Sequence, residues 1–223
     1  MTLRGRIVRE LGTVHDPELD EPITDLGFVG SCEVSADGDV SVRLRLATPQ
    51  CAPNFAFLMA ADAKAAIRRV PGVRSVRVEL DDHYTGREIN SAVARGDGFA
   101  TAFPGEAQAE LDSLRALFQR KALVAREGRL LGSVGDPATA RLRDLSGPDA
   151  ARCRELRCAL GIDASDDAPA FVRGDGSPLR ADELARFKRM ASLTALSLET
   201  NGGMCRDLLR ARYPETGGEE VAV

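Results

Sequence analysis

The sequence predicts an α+β fold: a small α-β-β-α-β domain with a mixed sheet, followed by a mostly α-helical C-terminal region. Three observations carry this. Period-two alternation of apolar and polar residues occurs in stretches before residue 81, whereas the later chain shows helical spacing. The first two expected strands are joined by Ala36-Asp37-Gly38-Asp39, a hairpin turn whose Asp-Gly tolerates positive φ. The second and third are separated by an Ala-, Leu- and Met-rich helical stretch, so the third strand returns by a crossover.

Leu3, Ile7, Leu11 and Val14 are spaced by four, four and three and predict a helix over 3–14, with Gly12 weakening its end. His15-Asp16-Pro17-Glu18-Leu19-Asp20-Glu21-Pro22 is dense in carboxylates and restrained by two prolines. It reads as a solvated acidic loop, or as one that presents Asp16 and Glu18 from a fixed backbone. Ile23-Thr24-Asp25-Leu26-Gly27 turns into a strand over 28–35. The second strand covers 40–46, a helix 54–70 and a third strand 73–80, with Pro71-Gly72 breaking the helix. Asp81-Asp82-His83-Tyr84 follows, either a polar strand end or a carboxylate–histidine pair. Domain boundaries are placed at 1–93 for the α/β part, 94–105 for a Gly- and Pro-containing linker and 106–223 for the helical region. Helices are expected over 106–126, 148–160 and 182–213, with breaks at 128–135 and at Asn201-Gly202-Gly203.

Chemistry concentrates at Thr48-Pro49-Gln50-Cys51-Ala52-Pro53-Asn54, where the second strand ends and a helix begins. Pro53 suits the first helical turn. Cys51 therefore faces unpaired backbone N–H groups and the positive end of the helix dipole, a setting that favours a thiolate able to bind metal or attack an electrophile. The competing reading is a buried packing cysteine. Cys205, after Asn201-Gly202-Gly203-Met204, is read as a second thiol or as core. Cys153 and Cys158 are five apart, about 140° around a helix, which is poor geometry for one metal.

Composition narrows the classes. The net charge is −4, both halves are evenly charged and there is no Trp, which argues against nucleic-acid binding. No stretch reaches the roughly 20 apolar residues of a membrane span and nothing reads as a signal peptide. Five irregularly placed cysteines suit a reducing compartment, so a cytoplasmic protein is expected. Cys-x-x-Cys pairs and Gly-rich phosphate loops are absent.

Asp16-Pro17-Glu18-Leu19, Ile23-Thr24-Asp25-Leu26-Gly27-Phe28-Val29, Thr48-Pro49-Gln50-Cys51 and Pro71-Gly72-Val73 occur in this order. Together they resemble the small iron–sulfur assembly family once called domain of unknown function 59, with its SufT-like and PaaD-like members. The resemblance covers roughly residues 1–90. The family pattern has Pro directly after the Cys, whereas here Ala52 intervenes before Pro53. The longer chain is similar to extended members encoded beside metal-dependent oxygenases.

The resemblance implies an accessory factor, not an enzyme, that matures iron or iron–sulfur cofactors on client metalloenzymes, an oxygenase among them, together with other assembly proteins. Cys51, Asp16 and Glu18 are then the metal-site candidates, Thr48, Asp25 and His83 the supporting residues and Cys205 a possible second thiol. One thiolate per chain cannot supply the four that a cluster normally takes, so a homodimer, a client ligand or another thiol such as Cys205 is expected to complete the set. Two other readings stand beside this one: an adaptor that docks client and cluster donor without binding metal, and a thiol-dependent enzyme with Cys51 as nucleophile.

Overall fold

The computed structural model describes residues 1–105 and 108–214. The chain falls into two units, one formed by Met1–Asp112 with the residues from Asn201 on, the other by Ser113–Thr200.

In the first unit, helix α1 (Leu3–Leu11) is capped by Thr2, whose hydroxyl accepts the Gly5 N–H at 3.1 Å, and it buries Ile7 and Leu11. Strands β1 (Val29–Val34) and β2 (Asp39–Arg45) form the antiparallel hairpin, with Val34 opposite Val40 and Cys32 opposite Val42. Helix α2 (Pro53–Arg68) then carries the chain to β3 (Ser75–Asp81), which lies parallel to β2 with Val42 beside Val78 and Leu44 beside Leu80. The sheet is thus mixed, in the order β1-β2-β3. Buried Val42, Leu44 and Leu80 share one core with Met59, Ala60 and Ile67 of α2 and with Ile7 and Leu11.

Gly38 is needed in the hairpin for two reasons. Its φ is 84°, and a Cβ there would lie 2.3 Å from the Gly72 carbonyl oxygen. Gly38→Ala is expected to lower stability by roughly 1–3 kcal/mol through the positive φ alone. The check is a lower urea midpoint at unchanged slope; a midpoint equal to wild type would contradict it.

Two helices of this unit are absent from the sequence reading, α3 (Gly86–Arg95) and α4 (Phe99–Ala102). The apolar face of α3 is only Ile89, Ala92 and Val93, too few positions for periodicity to show. Its C-terminal end is held by Lys64 of α2, a buried lysine whose ammonium donates to the carbonyls of Val93 and, at 2.9 Å, Ala94. In α4, Phe99 packs edge-on against Phe57 with ring centroids 5.4 Å apart.

The second unit contains most of α5 (Gln108–Leu130), α6 (Pro148–Leu160) and the first part of α7 (Leu184–Arg212). The helix expected over 106–126 begins at residues outside those described and continues past Arg126 through Gly128. That glycine permits a close helix approach, since a Cβ on it would sit 2.3 Å from the Ala191 Cβ. The boundaries of α6 coincide with the expected ones, and Gly161 ends it at φ 69°. Cys153 is fully buried on α6 and Cys158 is exposed, in keeping with their angular separation. A wholly buried ion pair lies in this core: Arg157 meets Glu127 at 2.5 Å.

The break expected at Asn201-Gly202-Gly203 does not occur; α7 is continuous there. Gly202 serves instead as a contact point, because a Cβ on it would meet Glu21 Oε1 at 2.3 Å. Among the described residues, no helix is long and apolar enough to cross a membrane.

Candidate functional site

The loop between β2 and α2 is built from backbone hydrogen bonds. The Cys51 N–H reaches the Thr48 carbonyl at 3.4 Å, and the Gln50 N–H donates to Thr48 Oγ1 at 3.2 Å. Two residues after β3 fasten it from the other side. His83 Nε2 is 2.8 Å from the Cys51 carbonyl, and the Tyr84 N–H donates to the Pro49 carbonyl at 3.1 Å. The Thr85 N–H donates to His83 Nδ1 at 3.3 Å, so the ring carries its proton on Nε2 and donates to Cys51. Burial first, and the Arg212 charge second among the lowering causes, hold the imidazole below its ordinary range despite the Cys51 carbonyl bond. Both ring nitrogens are engaged with backbone or Thr85, and His83 meets the Cys51 backbone, not its thiol.

The pinned loop leaves the Cys51 side chain half-buried, with Thr48 Oγ1 3.7 Å from Sγ. When the sulfur is ionised, that hydroxyl can donate to it. Helix α2 starts immediately afterwards with Pro53 in its first turn, and Ala52 provides no side-chain cap. No N–H of the first helical turn is therefore capped from that position, and the Phe55 N–H is taken by Asn54 Oδ1 at 2.9 Å.

Asp16 is a turn-former. Its Oδ1 accepts the N–H groups of Glu18 at 2.8 Å and Leu19 at 2.9 Å, and its side chain is buried. Burial outweighs those two bonds and raises the carboxyl to about 6. A carboxyl raised in the folded state stabilises most below its unfolded value of 3.8, and this contribution is lost as pH rises through 6. Asp16→Asn keeps the acceptor and removes the charge. Relative to wild type, it is expected to gain up to about 3 kcal/mol between pH 4 and pH 7. Urea midpoints at both pH values check this; a difference independent of pH would contradict it. Glu18 extends from the same turn with an exposed side chain.

The end of α7 adds residues that the sequence reading did not single out. Arg206 pairs with Glu21, and Arg212 donates to the carbonyls of Leu46 at 3.1 Å and Asp82 at 2.6 Å. Cys205 lies half-buried on the same helix. Its thiol is pushed up to about 11, by burial foremost and then by the charges of Asp16, Cys51 and Glu18. Asp25 is exposed, accepts from Thr24 Oγ1 at 3.0 Å, and lines a surface cavity of about 270 Å³ with Arg45, Arg206, Arg210 and Tyr213. Among the described residues, no three His, Cys, Asp or Glu side chains come together as a ready metal site.

Comparison with known proteins matches residues 4–80 to the family described as iron–sulfur cluster assembly protein. An Fe-S protein maturation auxiliary factor of Porphyromonas gingivalis is 39% identical over 74 residues, 33% of this chain and 69% of that protein. The chain belongs to the iron–sulfur cluster assembly protein family. An uncharacterized protein of Methanocaldococcus jannaschii is 32% identical over 90 residues, 40% of this chain and 93% of its own. An iron–sulfur cluster carrier protein of Deinococcus radiodurans is 39% identical over 79 residues, which is 35% of this chain but only 21% of the carrier. No solved structure matches significantly. The segment matched to the assembly family holds Asp16, Glu18, Asp25, Thr48 and Cys51, whereas His83 and Cys205 lie beyond it.

Proposed function

We propose that this chain is an accessory factor in iron–sulfur cluster assembly that holds iron or a labile cluster through the Cys51 thiolate and passes it to a client metalloenzyme, an oxygenase being one such class. The observation that carries the reading is the placement of Cys51. It lies inside the family segment, half-buried, beside a hydroxyl, on a loop fastened by His83 and Tyr84. A thiolate is the ligand type that iron–sulfur clusters take. Here the cluster is cargo, and the chain's part is to bind and release it, not to turn over a substrate. One Cys51 per chain leaves coordination open, so further ligands come from a second copy in a homodimer, from other assembly proteins or from the client. Glu18, exposed on the turn that Asp16 shapes, is the carboxylate available as a hard oxygen donor. The names of the maturation factor and carrier relatives support this direction. A cytoplasmic setting suits five unpaired cysteines.

One observation favours a second reading. With no three donor side chains assembled among the described residues, the chain would serve as an adaptor that docks donor and client without holding metal. Anaerobic reconstitution of the wild-type protein with ferrous iron and sulfide separates the two. A coloured protein retaining iron and sulfide after desalting, and passing them to an apo iron–sulfur acceptor, is the expected result. A colourless, iron-free protein would overturn the carrier reading and leave the adaptor.

A further inference from the structure

We infer that Arg212, at the end of α7, is a positioning residue for the Cys51 loop: its guanidinium ties together the two chain segments from which that loop and its fastening residues emerge. The inference rests on the assembly reading above. It gives a part in that reading to a helix outside the matched family segment, which stops at residue 80.

The geometry starts from the sheet. Strands β2 and β3 run parallel, and their last paired positions are Arg45 and Asp81. One residue further on, Leu46 leads towards the loop of Thr48 to Cys51, and Asp82 leads to His83 and Tyr84. Arg212 Nη1 donates to the Leu46 carbonyl at 3.1 Å, while Nη2 donates to the Asp82 carbonyl at 2.6 Å and to the Asp82 carboxylate. One guanidinium thus joins the two chains where the strand ladder stops. Its planar fork suits this bridging, which a single ammonium cannot reproduce. The Arg212 side chain is only 17% exposed, so solvent screens these bonds less than it would at the surface.

Asp82 is where this clamp acts on the loop. Its φ is 50°, in the left-handed region that residues other than glycine rarely adopt. Such a conformation persists where the surroundings hold it, and Arg212 holds both the carbonyl and the carboxylate of this residue. The next two residues then reach the loop: His83 Nε2 meets the Cys51 carbonyl at 2.8 Å, and the Tyr84 N–H donates to the Pro49 carbonyl at 3.1 Å. Both bonds act on backbone, so what Arg212 sets is where the loop holds the thiol. The helix end that carries Arg212 is itself seated on this unit. Arg206 pairs with Glu21, and Leu209 packs over Gly27. The Tyr213 ring centroid lies 5.2 Å from the Arg212 guanidinium carbon and 5.1 Å from that of Arg45, the last residue of β2. A donor held in place beforehand binds its cargo more tightly than one that must be ordered on binding.

The test compares Arg212→Ala and Arg212→Lys with Arg206→Ala, which removes another anchor of the same helix end without touching Leu46 or Asp82. Circular dichroism and the exchange of core amides in α2 are the folding controls, and Arg212→Lys keeps the charge should the alanine variant unfold. The first readout is hydrogen exchange of the Tyr84 amide in the apo protein. It is expected to quicken at least ten-fold in Arg212→Ala, by a smaller factor in Arg212→Lys, and by less than about two-fold in Arg206→Ala. The second is iron and sulfide retained after anaerobic reconstitution and desalting, expected to fall several-fold in the Arg212 variants. A wild-type Tyr84 amide in folded Arg212 variants would overturn the inference. So would equal quickening in Arg206→Ala, which would make Arg212 an anchor of the helix and nothing more, or a quickened amide with wild-type iron retention. An iron-free wild type would defeat the assembly reading and with it the cargo role of Arg212, whereas an unchanged Tyr84 amide beside an iron-loaded wild type would defeat the clamp alone.

Discussion

Cys51→Ser is expected to leave a folded chain that retains at least ten-fold less iron and sulfide than wild type. The two parts of this expectation have separate causes. The fold survives because the loop is held through its backbone. The Cys51 N–H, the Cys51 carbonyl and the Pro49 carbonyl make the fastening bonds, and serine keeps all three. With the side chain half-buried, a change of one atom is expected to shift stability by less than about 1 kcal/mol. Loading fails because a serine hydroxyl is a hard donor that stays protonated near neutral pH, whereas iron in clusters takes soft thiolates. Iron and sulfide counts, taken together with circular dichroism and a urea melt, read both parts. A variant that unfolds would make Cys51 a packing residue. A folded variant with wild-type iron would remove it from the ligand set.

The parts of this molecule that were legible in the sequence are those encoded by local period and turn chemistry. Alternation marks β2 and β3, and Asp37-Gly38 marks the hairpin of β1 and β2, because the side-chain period of a strand and the positive φ of a turn are local properties. The placement of Cys51 ahead of α2 was legible for the same reason, through Pro53. Helix α3 was not, since its apolar buried face is only Ile89, Ala92 and Val93 and its C-terminal carbonyls are held by Lys64, some thirty positions away. The acidic turn was visible, but not the spending of Asp16 on two backbone N–H groups. His83 stood out as a histidine beside carboxylates, yet its partner is a backbone carbonyl, which no side-chain pattern announces. Least legible was the docking of the α7 end. The Arg206–Glu21 and Arg212–Asp82 pairs join positions 185 and 130 residues apart, and no periodic signal links them. The glycine that permits the approach, Gly202, reads locally as a helix break.

The largest loss of stability is expected from Arg157→Ala in the second unit. Arg157 and Glu127 are both wholly buried and meet at 2.5 Å. The guanidinium also donates to the carbonyls of Pro169 at 2.8 Å and Ala170 at 2.7 Å, while Glu127 Oε2 accepts the Val172 N–H at 3.0 Å. The pair therefore ties α5 and α6 to the irregular segment that follows α6. Truncating Arg157 leaves two carbonyls without that donor and a carboxylate buried without its counter-charge. Breaking a buried pair in this way costs about 3–5 kcal/mol, a large share of the 5–15 kcal/mol that holds a typical domain. Replacing both partners by apolar residues, as in Glu127→Leu with Arg157→Met, is expected to recover part of the loss, since no charge is then stranded. The pH dependence has a definite sign. Burial already pushes Glu127 up to about 7, and removing Arg157 removes its largest lowering cause. A carboxyl raised in the folded state is least harmful while protonated, so the variant should be most stable near pH 4.5 and lose stability as pH rises. Urea midpoints of wild type, Arg157→Ala and the double variant at pH 5 and pH 8 decide the matter. A loss under 1 kcal/mol at both values would mean that water reaches Glu127 once the guanidinium is gone, and that packing among Leu123, Leu142, Leu156 and Phe171 holds this unit together without the pair.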